Sequence, residues 1–94
     1  VVEYNGKFPP PMKFKIQYDE KNMYHENDYY GASLQTYSDL FEKYDYMLVC
    51  CNLMTGVNAF FVKNKYATYF NDVPKNINDL YVIPNYQLLK KYLL

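Results

Sequence analysis

The polar residues that close apolar stretches are the first candidates for chemistry. Glu3 and Asn5 follow Val1-Val2, and Asn52 follows Leu48-Val49-Cys50-Cys51. In open α/β sheets, ligands sit beyond the C-terminal ends of parallel strands. A carboxylate at Glu3 could position a substrate group or act as a base there. Each position also has a plainer reading. Glu3 can pair locally on an exposed edge, and Asn5 and Asn52 can be turn residues whose side chains bond their own loops. His25 stands beside Glu26 and Asp28 in a polar stretch, an arrangement that can shuttle protons. With one histidine and no second soft ligand nearby, a solvated loop histidine is the default and a metal site is not expected. No serine, histidine and aspartate fall in the order of a nucleophilic triad, and no residue is assigned a catalytic role.

Cys50 and Cys51 are adjacent. In a strand, neighbours point to opposite faces, so the two cannot readily pair, and they lack metal-ligand spacing. They read as reduced strand residues, which places the chain in the cytoplasm.

These positions need elements to hold them. Residues 1–4 read as a short strand, Asn5-Gly6 as a turn, and Pro9-Pro10-Pro11 forbids regular pairing. From Met12 to Tyr18 apolar and polar residues alternate, which fits an exposed edge strand or an extended arm with lysines outward. Leu34, Tyr37, Leu40, Phe41 and Tyr44 recur at helical spacing, predicting a helix from Ser33 to Tyr44 with Ser33 as N-cap and an Asp39–Lys43 pair on its outer face. Tyr46 to Cys51 is a continuous apolar run, as in a strand buried on both faces. Asn58 to Lys63 is a third strand. About six residues join these two, too few for a crossover, so as neighbours they must be antiparallel. Lys65 to Phe70 is one or two helical turns, Ile77 to Ile83 fits neither pattern cleanly, and Asn85 opens a last helix carrying Tyr86, Leu89, Tyr92 and Leu93.

The composition limits the function classes. Ninety-four residues make one domain. Thirteen tyrosines and six phenylalanines supply a dense core and a half-buried rim. Ten acidic side chains balance ten lysines, and there is no arginine. A neutral chain without arginine forks argues against nucleic-acid binding. No apolar run is long enough to span a bilayer. The chain opens on Val1-Val2-Glu3, already strand-like, so truncation of a longer protein is expected, with a processed N-terminus as the competing explanation.

Five words carry a resemblance: Val1-Val2-Glu3-Tyr4-Asn5; Phe8-Pro9-Pro10-Pro11; Tyr30-Gly31-Ala32-Ser33-Leu34; Leu48-Val49-Cys50-Cys51-Asn52; and Gly56-Val57-Asn58-Ala59-Phe60-Phe61-Val62. In this order and spacing they resemble the tail of FkbM-type S-adenosylmethionine-dependent methyltransferases over residues 1–70. The resemblance implies the last three strands of a Rossmann-like sheet: a small three-stranded mixed sheet, order 1-3-2, with residues 58–63 antiparallel in the middle. Residues 71–94 would be a helical tail to a single partial domain. The resemblance also places Tyr30 at the border of the substrate pocket, beside Glu3, Asn5 and Asn52.

The departure from that family is as informative. Its members grip S-adenosylmethionine with a Gly-rich loop, whereas Gly6, Gly31 and Gly56 are isolated here and none opens a Gly-rich loop before a helix. The expectation is therefore a methyltransferase remnant without its cofactor-binding half, inactive alone and holding no cofactor. The rival is a non-enzymatic α/β module. In either case the exposed edge of the first strand invites a second copy or the absent N-terminal domain.

Overall fold

The computed structural model describes residues 1–17 and 31–85. Three strands form one sheet: β1 (Val2–Glu3), β2 (Tyr46–Cys51) and β3 (Asn58–Lys63). Their order is β1-β3-β2. β3 is antiparallel to both neighbours, so among the described residues both ladders are antiparallel and the outer strands run the same way without pairing. The predicted order and central strand are as expected. The word mixed applies only to the strand directions, since among the described residues no parallel pair forms.

β3 earns its central place through side chains that suit two covered faces. Ala59 is wholly buried, and it lies opposite Val2 on one side and Cys51 on the other. β2 departs from simple alternation. Its register shifts between Leu48 and Cys50, so Val49 is the extra residue of a bulge. The shift puts Leu48 and Cys51 on the core side and leaves Cys50 exposed. An apolar run at a sheet margin is thus not buried on both faces, as its composition had implied.

Helix α1 (Leu34–Glu42) joins β1 to β2. Ser33 caps it, its hydroxyl accepting from the Thr36 backbone N–H. Leu34 is wholly buried, and Phe41 meets Phe61 of β3 edge-on at 4.7 Å. The helix ends two residues before the predicted Tyr44, which is exposed. Asp45 then takes a left-handed φ of 64° and turns the chain into β2.

Residues 12–16 form an extended arm rather than a strand of the sheet. Lys15 bridges to Ala32, and the Ser33 N–H donates to Phe14 O at 2.8 Å. Ser33 also donates from its hydroxyl to Met12 O, so one buried serine ties the arm to the helix start. Lys13 reaches Asp39 at 3.1 Å. Asp39 also accepts from Gln35, and its carboxyl is held below the usual range by that bond and by Lys13. The predicted partner, Lys43, acts on it only from a distance.

After β3 come a 3-10 helix (Asn64–Phe70) and the short α2 (Ile77–Leu80). Ile77, Leu80, Tyr81 and Val82 pack against the core formed by Tyr4, Leu34, Leu48, Cys51 and Ala59. Residues 77–82 therefore dock on the sheet. The predicted last helix beyond Asn85 lies outside the described residues, as do Tyr18 and His25. Among the described residues no helix is long and apolar enough to cross a membrane.

Candidate functional site

The sheet brings Glu3, Asn5 and Asn52 toward one end, where β1 and β2 finish. Glu3 lies opposite Asn58 and Cys51 opposite Ala59, so the loops after both outer strands leave the sheet side by side. Tyr30 lies outside the described residues.

At this end the carboxamides are engaged by the backbone. Asn5 is wholly buried, and its side-chain oxygen accepts from the Lys7 N–H at 3.1 Å. Its own N–H donates to Ala32 O at 2.8 Å. Asn52 accepts from the N–H groups of Met54 and Thr55, at 2.9 and 3.0 Å, and so organises the β2–β3 hairpin. Both carboxamides act as turn-forming side chains. Glu3 is exposed. Its carboxylate adds to burial in pushing the Tyr37 phenol upward in pKa.

Residues 81–85 lie across the same end as a strap. Tyr4 donates its hydroxyl to Val82 O at 2.5 Å, and Tyr81 donates to Gly6 O at 2.6 Å. The two rings lie 6.1 Å apart. Asn85 N–H donates to Thr55 O at 2.9 Å. Two glycines let the strap come close. A Cβ on Gly6 would overlap the Pro84 ring, and one on Gly56 would sit 2.5 Å from Ile83 O. Burial pushes the Tyr4 phenol far up, and the neighbouring Cys51 adds to it. Burial likewise raises the Cys51 thiol and the Tyr81 phenol. All three stay protonated at neutral pH, so the cluster holds hydrogen-bond donors and no nucleophile. One polar atom breaks the pattern: Thr55 Oγ1 is buried without a partner.

The other end of β2 is different. Between α1, the first residues of β2 and residues 74–80 lies an open cleft of about 260 Å³. Leu48, Ile77 and Leu80 give it an apolar floor, while Ser38, Glu42, Asn64 and Lys75 reach it from three directions. Glu42 and Lys75 are exposed. Among the described residues neither forms an ion pair; the lysine–carboxylate contact present is Lys13–Asp39.

Sequence pattern missed both features. The strap joins residues 75 to 78 positions apart, which no local period reveals. A glycine three residues after β1, Gly6, and one two residues before β3, Gly56, were the available signals. Glu42 falls outside the apolar spacing that marks α1 and carries no other signal in the sequence. Among the described residues no three His, Cys, Asp or Glu side chains gather as metal ligands. No family model, curated protein or solved structure matches this chain.

Proposed function

We propose that this chain is the sheet-closing C-terminal part of a methyltransferase-like α/β domain, and that it does not transfer methyl groups by itself. The sheet order carries the reading: β1-β3-β2 with β3 antiparallel to both neighbours is the arrangement that the resemblance to FkbM-type enzymes leads one to expect. A helix crossing from β1 to β2 leaves a gap one strand wide, and a hairpin return fills it.

The glycines support the second half of the reading. Gly6 and Gly56 are used for close approach by Pro84, and Gly31 takes a φ of 56° ahead of Ser33. Each serves a turn or a contact in this chain, and the sequence holds no Gly-rich phosphate- or cofactor-cradling loop. The donor-gripping half would come from other residues and would join along the outer side of β1. The strand ends carrying Glu3, Asn5 and Asn52 would face the acceptor side, with Tyr30 at its border. A cytoplasmic setting accords with two free thiols.

Two measurements test this. Calorimetric titration of the chain with S-adenosylmethionine should give no binding heat, and saturable micromolar binding would show that the donor site is here after all. The coding sequence ahead of Val1 should supply a strand, a Gly-rich loop and a helix. Without them the methyltransferase reading is lost.

A further inference from the structure

The cleft beside the start of β2 combines two features of a binding surface. The first is unspent polarity. Ser38 and Glu42 stand one helical turn apart on α1, and Lys75 lines the same cleft from the segment before α2. Their side chains have no hydrogen-bond or ion-pair partner among the described residues, yet they border an apolar floor. Convergent polar groups over such a floor are the mark of a recognition site.

The second feature is the backbone of β2. Asp45 O accepts from the Asn64 N–H at 2.7 Å. Hydrogen-bonded positions alternate along an antiparallel pair. They therefore fall on Asp45 and Met47, and Tyr46 and Leu48 turn their N–H and C=O groups away from β3. β2 is the margin of the sheet, so these groups point outward beside the cleft. The bulge at Val49 interrupts the edge, leaving a stretch of three residues for pairing.

From these we infer that the cleft takes a short extended peptide segment of a partner protein, added as a strand beside Tyr46–Leu48, with a basic residue facing Glu42 and an acidic residue facing Lys75. A cleft of about 260 Å³ falls below the roughly 300–1,000 Å³ of common cofactor and drug-sized sites. The opposite charges lining it ask for a segment with both signs, which a peptide supplies on either side of one apolar residue. Main-chain bonds would give affinity and the rim charges would choose the sequence. This surface is independent of the methyltransferase reading.

The test uses the full chain labelled with nitrogen-15 and two blocked peptides, acetyl-Thr-Lys-Val-Glu-Thr-amide and its charge-swapped form, acetyl-Thr-Glu-Val-Lys-Thr-amide. Titration at millimolar peptide should shift the backbone amides of Tyr46 and Leu48. One peptide should bind about fivefold more tightly than the other, the scale expected of exposed charge pairs. In the double variant E42K/K75E the preference should reverse. Three results would overturn the inference: no shift with either peptide, an unchanged preference in the double variant, or the same shifts from free lysine and free glutamate. The last would assign the cleft to a small zwitterion instead.

Discussion

The two ends of β2 are built from similar residues and put to opposite uses. Where β2 finishes, Tyr4, Tyr81, Asn5 and Asn52 direct their polar atoms at backbone groups, and residues 81–85 lie across the strand ends. Where β2 begins, Ser38, Glu42, Asn64 and Lys75 border an open cleft. In an open α/β sheet the first of these ends is where a ligand belongs. Here it is closed by the chain's own strap, and unspent polar groups collect at the other. Strand ends alone do not locate a binding surface. What the rest of the chain has already satisfied must also be counted.

The sharpest way to test that contrast is to push the strap off. Gly56 has a φ of 67° and Gly31 a φ of 56°, but their surroundings differ. A Cβ at Gly56 meets the Ile83 carbonyl at 2.5 Å and Pro84 Cα at 2.8 Å, and neither backbone group can rotate aside. A Cβ at Gly31 meets nothing within 4 Å. Gly31→Ala should therefore cost only the left-handed strain, about 1 kcal/mol. Gly56→Ala should cost that strain plus displacement of the strap, about 3 kcal/mol in all. Urea denaturation of the two variants measures the difference. Equal losses would mean that the strap adds no stability at this end.

A smaller effect is expected from Tyr4→Phe. It removes the donor to Val82 O in a buried setting, at a cost of about 1–2 kcal/mol at neutral pH. It should also change the alkaline behaviour. The Tyr4 phenol is raised in the folded chain by burial, from an ordinary value of 10.0. A raised folded value means that the stabilisation is complete below pH 10 and is lost as pH climbs above it, because the unfolded chain releases the proton first. Each such group steepens the loss by up to about 1.4 kcal/mol per pH unit. Stability measured from pH 8 to 11 should thus fall less steeply in Tyr4→Phe than in the parent. Some slope should remain, since Tyr81 is raised in the same direction.

Much of the sheet was legible in the sequence and much of the strap was not, for one physical reason. Tyr46–Cys51 and Asn58–Lys63 are marked by their own residue types, and Ser33 marks its helix through a bond to Thr36, three positions away. Such signals are local. Asn5 and Asn52 were legible as turn residues on the same ground. Residues 77–85 changed from one helical turn to an extended strap, so neither period persisted long enough to show. Their fit depends on Gly6 and Gly56, distant in sequence and adjacent in space. Asp39 teaches the same lesson on the surface: the helix offered Lys43 at the favoured spacing, and the arm supplied Lys13 instead.

The smallest effect is the one that most sharpens the comparison. Glu42 and Lys75 are exposed, and among the described residues they hold no partner whose loss would strand a buried group. Glu42→Gln and Lys75→Gln should each change stability by less than about 0.5 kcal/mol, the range of surface substitutions away from caps and networks. Thermal melting of both variants beside Tyr4→Phe makes the measurement. If either glutamine variant loses as much as Tyr4→Phe, the rim is part of the scaffold and the ends of β2 do not differ in kind. If both are neutral, folding does not account for these charges, and the reversed peptide preference expected of E42K/K75E belongs to the surface itself.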